Sequence, residues 1–85
     1  MQYLIMCKSL TNAQRSSLLL ERKGISATVI KAPQGLSTRG CAYALSLYNR
    51  FEEASRILRN YNLLSGKRFI RKENGEFAEV NNDIS

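Results

Sequence analysis

Residues 25–48 read Ile25-Ser26-Ala27-Thr28-Val29-Ile30-Lys31, then Ala32-Pro33-Gln34-Gly35-Leu36-Ser37-Thr38-Arg39-Gly40, then Cys41-Ala42-Tyr43-Ala44-Leu45-Ser46-Leu47-Tyr48. The first run carries β-branched Ile25, Thr28, Val29 and Ile30, and predicts a strand over 25–31. The third predicts a strand over 41–48, with Cys41, Tyr43, Leu45 and Leu47 on one side and Ala42, Ala44, Ser46 and Tyr48 on the other. Between them lie nine residues rich in Pro, Gly, Ser and Thr, the longest clear loop of the chain.

On the N-terminal side, Gln2–Cys7 is short, apolar and rich in β-formers, and predicts a first strand. Thr11-Asn12-Ala13-Gln14 has the form of a capping box, in which Thr11 caps a helix and Gln14 reaches back. That helix is expected to run to Lys23, with Gly24 as its left-handed terminator and Arg22 and Lys23 at the negative dipole end. On the C-terminal side, Asn49 and Glu52 form a second capping box. The helix after it sets Phe51, Ala54, Ile57, Leu58 and Tyr61 on one face. Leu64-Ser65-Gly66 turns the chain into a strand over Lys67–Lys72. Asn74-Gly75 is a type I′ hairpin signal, so Glu76–Val80 adds an expected fifth strand.

The order is βαββαβ with an extra C-terminal strand, in one α+β domain over residues 1–80 followed by a disordered tail, 81–85. Two right-handed crossovers in this order give a ferredoxin-like sandwich, an antiparallel sheet with both helices on one face. Strands one and three are apolar on both sides, and two helices cover only one. A partly bare apolar face is therefore expected, and with it a homodimer or another covering partner.

The 85 residues make a thin core with no room for a deep enclosed pocket. No stretch has the form of a signal peptide or the length of a membrane span, so a cytoplasmic location is expected. Two cysteines and no histidine exclude a disulfide scaffold, a structural zinc site and a Cys–His or Ser–His nucleophile pair. No cofactor motif is visible, and the chain does not read as a stand-alone enzyme. The net charge of +6 is uneven: residues 1–72 hold 13 bases and three acids, and residues 73–85 hold four acids and no base. That polarity suits an anionic partner or a basic docking face, and equally a plain solvated surface.

In the expected topology the start of strand three lies beside the end of strand one and the N-terminus of helix one. Cys41 is thereby brought near Lys8, Ser9, Thr11 and the N–H groups of residues 12–14. With Arg39 the neighbourhood is electropositive, which lowers a thiol pKa and favours the reactive thiolate. Gly40 leaves the adjoining backbone unshielded. The other reading is that Cys41 is a small buried hydrophobe at a strand start. Cys7 fits that reading more readily, although its place at the same end of an adjacent strand also allows a resolving thiol.

Tyr3-Leu4-Ile5, Ser9 through Ala13, Leu20 to Gly24-Ile25, Val29-Ile30 leading to Pro33, and Leu36-Ser37 before Gly40-Cys41 together resemble the family of small selenium/sulfur carrier-like proteins. The resemblance covers roughly residues 2–65, and its most specific element is the proline loop closing on a Gly-Cys step. It implies that the cysteine carries sulfur or selenium as a persulfide-type adduct, a role that falls on Cys41. Many relatives have an acid in helix one, an Arg after the loop proline and a Gly after the cysteine. This chain has Ser17, Gln34 and Ala42 there.

Three functions compete at this level. The resemblance implies a sulfur or selenium carrier with donor and acceptor proteins as partners, its persulfide stabilised by Lys8, Arg39 and the helix terminus. A nucleic-acid-binding module is suggested by the basic surface, against which strand three lacks the basic–Gly–aromatic stacking motif. A non-catalytic assembly domain would pair through the bare sheet face.

Overall fold

The computed structural model describes residues 2–33, 36, 42–64 and 67–80. The order is β1 (Tyr3–Cys7), α1 (Leu10–Arg22), β2 (Thr28–Lys31), β3 (Tyr43–Leu47), α2 (Phe51–Asn60), β4 (Arg68–Arg71) and β5 (Phe77–Glu79). The strands form one sheet in the order β2-β3-β1-β4-β5, and every neighbouring pair is antiparallel. The chain is thus α+β with two helices and a five-stranded antiparallel sheet. Strand β5 extends the edge beyond β4, so the sheet is one strand wider than a plain βαββαβ unit. The expected tail at 81–85 lies outside the described residues.

The central position of β1 explains its unbroken apolar run. It pairs with β3 from Tyr3–Leu47 to Cys7–Tyr43 and with β4 from Tyr3–Ile70 to Ile5–Arg68. Alternation then sends Ile5 and Cys7 to one face and Leu4 and Met6 to the other, and all four are buried. On the first face Ile5, Cys7, Leu45 and Leu47 meet Ala13 and Leu20 of α1 and Phe51, Ala54 and Leu58 of α2. Both helices therefore lie on that side.

The opposite face corrects the expectation of bare apolar surface. Leu4, Met6, Ala44 and Phe69 are buried there, with Ile30, Ala32, Leu36 and Phe77 packed around them. The side chains of the edge strands and Leu36 of the β2–β3 connection close over the centre. The argument for a covering second copy rested on that bare face and goes with it.

Helix ends account for the other departures. Ser9, not Thr11, caps α1: its Oγ accepts from the Asn12 N–H at 3.1 Å, and its backbone is extended at φ −152°. Three residues separate Thr11 and Gln14 as a capping box requires, but Leu10 is already helical, which leaves Thr11 inside the first turn. Asn49 likewise does not cap α2. The N-cap is Arg50 in the left-handed region at φ 55°, with no side-chain cap of its own. Its guanidinium instead makes a two-bond pair with Glu53 (3.0 and 2.9 Å) and donates to the Gly24 carbonyl at 2.9 Å. One arginine thus ties the end of α1 to the first turn of α2.

Both helices end alike. Ile25 N–H donates to Leu20 O and Gly24 N–H to Glu21 O, and at α2 Leu63 and Asn62 donate to Leu58 and Arg59. These are paired Schellman bonds, with Gly24 (φ 84°) and Asn62 (φ 58°) as the left-handed residues. Ile25, expected in strand two, is used here instead. It is buried against the core, and β2 begins only at Thr28.

Candidate functional site

The sheet end that carries the C-terminus of β1 gathers most of the described residues singled out from the sequence. Cys7 closes β1 opposite Tyr43, and Lys8 and Ser9 turn the chain into α1. Lys8, Ser9 and Thr11 are exposed. The cap leaves the N–H groups of Leu10 and Thr11, rather than those of residues 12–14, outside the helical ladder: Asn12 N–H is taken by Ser9 Oγ and Ala13 N–H by Ser9 O at 3.0 Å. The first turn of α1 holds no acid, so the positive dipole end is not neutralised by its own helix. Lys8 adds a full charge beside it.

On the neighbouring strand, Ala42 lies one residue beyond the Cys7–Tyr43 pair, and its carbonyl accepts from Ala32 N–H at 2.9 Å. That bond anchors the entry to β3 against the exit of β2. Cys41 adjoins Ala42 in the chain, and Cys41, Gly40 and Arg39 lie outside the described residues. The structure thus brings together Lys8, Ser9 and Thr11 on one junction and bears on the other three only through the anchor at Ala42.

Cys7 occupies a different environment. It is 1% exposed, belongs to the helix-side core with Ala13 and Leu45, and its thiol donates to the Ile5 carbonyl at 3.5 Å. An added sulfur atom at that thiol would have to displace core side chains, which ordinarily costs about 1–3 kcal/mol. Its surroundings are those of a small core hydrophobe.

Several polar residues of consequence escaped the sequence reading. Arg68 lies in β4 opposite Ile5 and is 7% exposed beneath α2. Its Nη1 donates to the buried Ser55 Oγ at 2.9 Å, and its guanidinium carbon stands 5.2 Å from the centre of the Phe51 ring. Phe51 in turn stacks on Tyr3 at 4.4 Å. The signal was a charge at an inward position of a strand, legible only once the register is known. Arg50 holds the Glu53 carboxyl below its ordinary value, first through their hydrogen bonds and then by charge, and its own guanidinium is raised by the same pairing. That pair lies at the other end of the sheet from Lys8.

Among the described residues no three His, Cys, Asp or Glu side chains gather as a metal site, and no helix is long and apolar enough to cross a membrane. The geometry suits an anion held at an exposed helix terminus beside a lysine, with one of the chain's two cysteines sequestered in the core.

Comparison with curated proteins and with solved structures returns no match. A family model described as "Putative Se/S carrier protein-like" matches residues 2–74, the greater part of the chain and both βα units, and the chain belongs to that family.

Proposed function

We propose that this protein is a sulfur or selenium carrier that holds its cargo on Cys41, within a ferredoxin-like domain, and that it is a relay component rather than a stand-alone enzyme. Family membership supports carriage in general. The observation that directs it to Cys41 is the burial of Cys7: of two cysteines, one is 1% exposed in the core.

In the loading step the Cys41 thiolate attacks the outer sulfur of a donor protein's persulfide. A new S–S bond forms at Cys41, the donor's S–S bond breaks, and the donor cysteine leaves as thiolate. The sulfane sulfur changes hands at constant oxidation state, so no oxidant or reductant is consumed. Unloading is the same exchange onto an acceptor nucleophile, with Cys41 as the leaving thiolate. An N-terminus of α1 without acids, flanked by Lys8, favours the anionic adduct. Lys8 and the open N–H groups of Leu10 and Thr11 assist at that junction, with Arg39 as a further cation and Gly40 giving access.

The test is to incubate the protein with a cysteine desulfurase and cysteine and to measure intact mass. An adduct of about 32 Da is expected, reversible by thiol, lost in Cys41→Ser and retained in Cys7→Ala. Persistence in Cys41→Ser overturns the assignment.

A further inference from the structure

The far end of the sheet, on the face away from the helices, carries an arrangement that sulfur carriage does not use. Extending the Tyr3–Leu47 and Tyr3–Ile70 registers by one residue sets Tyr48 and Arg71 on either side of Gln2. Arg71 N–H donates to Gln2 O at 2.8 Å, and Phe77 follows Arg71 across β5. Four side chains therefore stand in a row across the sheet: phenol, amide, guanidinium, phenyl.

The row is organised. Gln2 Nε2 donates to Ser46 Oγ at 2.8 Å, which turns Gln2 Oε1 toward Arg71, whose Nη1 donates to it at 3.3 Å. The guanidinium is also set over the Phe77 ring, 5.9 Å from its centre. Among the described residues no carboxylate lies within ion-pair distance of Arg71. Arg71 lines a cavity of about 420 Å³ together with Gln2, Tyr48, Lys72 and Glu73. Tyr48, another lining residue, is 66% exposed.

We propose that this cavity binds a nucleoside phosphate, free or as a unit of single-stranded RNA, with the base stacked on Tyr48 and the phosphate on Arg71 and Lys72. An exposed ring supplies a stacking surface that any base can use. A guanidinium held from one side by an amide and an aromatic ring keeps a pair of donors for phosphate oxygens. Gln2 carries the amide chemistry for a base edge between the two. The site stands about 17 Å along β1 from Cys7, at about 3.3 Å per residue, so it is independent of the thiol chemistry.

The test is a residue-resolved NMR titration of the whole labelled chain at low salt with adenosine monophosphate and, separately, with a short single-stranded RNA of mixed sequence. Shifts centred on Gln2, Tyr48 and Arg71 are expected with at least one of them. Binding by the mononucleotide identifies a free nucleotide as sufficient, and binding by the RNA alone identifies the polymer. Tyr48→Ala, at an exposed position that leaves the core intact, should weaken binding about fivefold or more. Arg71→Gln should lower the log–log salt slope for RNA by about 0.7. Cys41→Ser should leave both unchanged, which separates this site from the carrier reading. Inert nucleotides, shifts from inorganic phosphate alone equal to those from the nucleotide, an acidic peptide that binds where nucleotides do not, or affinity indifferent to Tyr48→Ala would each overturn the proposal.

Discussion

Arg68 and Ser55 are expected to be energetically coupled, because both are buried and each meets the other's polar requirement. The bond between them is 2.9 Å long and joins a cation that is 7% exposed to a hydroxyl that is 0% exposed. A hydrogen bond to a charged group contributes about 1.5–3 kcal/mol. Ser55→Ala loses that bond and leaves a guanidinium N–H facing apolar surroundings, while alanine in mid-helix regains about 0.5 kcal/mol in propensity. The net expectation is a destabilisation of about 1–2.5 kcal/mol. In an Arg68→Met background the donor is already gone, and the same substitution removes an orphaned hydroxyl and should be neutral or stabilising. The coupling energy is then about 1.5–3 kcal/mol, far above the few tenths seen between unconnected sites. Urea unfolding of the four proteins measures it, since a slope near 1 kcal/mol per molar converts that energy into a midpoint shift of about 1.5–3 M. A coupling below about 0.5 kcal/mol would refute the reasoning, for it would mean that water satisfies Arg68 as well as Ser55 does.

Three further outcomes follow from the same geometry. Ser9→Ala should cost about 1 kcal/mol in thermal or urea unfolding and Thr11→Ala close to nothing, the reverse of what the Thr-x-x-Gln spelling suggests. Leu4→Ala should cost about 2–5 kcal/mol, because Leu4 is fully buried on the sheet face without helices; a cost under 1 kcal/mol would show that face to be open. The Arg50–Glu53 pair lowers the folded carboxyl pKa, so its contribution is present above the unfolded value of about 4.5 and is lost as pH falls through the lower folded value. Both groups are exposed and solvent-screened. A small acid-limb loss of stability should therefore be present in the parent, absent in Glu53→Gln, and reduced by added salt.

Much of the element order was legible because it rests on local signals. The Gly24 terminator, the core-facing Phe51, Ala54, Ile57 and Leu58, and the hairpin at Asn74-Gly75 act over a few residues and stand where the pattern put them. Two details differ. Tyr61, expected on the same helix face, follows the end of α2 and is 54% exposed. Only Gly75 (φ 90°) of the turn pair is left-handed, so the turn is a longer loop closed by Gly75 N–H on Lys72 O rather than the expected type I′. The continuous apolar run of β1 also announced a central strand apolar on both sides, but not that its second face would be covered. Element ends were less legible. Ser9 and Thr11 are both plausible caps by residue type, whereas at α2 residue type favours Asn49 and the cap position falls to Arg50, so the choice depends on the direction from which the strand delivers the chain. At α2 that direction puts Arg50 in the left-handed region, where its side chain is held by Gly24 and Glu53 from two separate elements.

The candidate site divides in the same way. The amino-acid sequence by itself determined that the chain has no histidine, that it holds two thiols, and that it has the spelling of its family. It favoured Cys41 over Cys7 without fixing the burial of either, because burial is a property of what other segments bring to a position. Tertiary structure decided that Cys7 is enclosed by α1 and β3, that the face opposite the helices is closed by its own strands, and that Arg68 lies beneath a helix. It also aligned Tyr48, Gln2 and Arg71, which are 46 and 69 residues apart along the chain from Gln2, in one row. Hydrogen-bond register between strands sets that alignment, and register is a relation between segments that no single segment encodes.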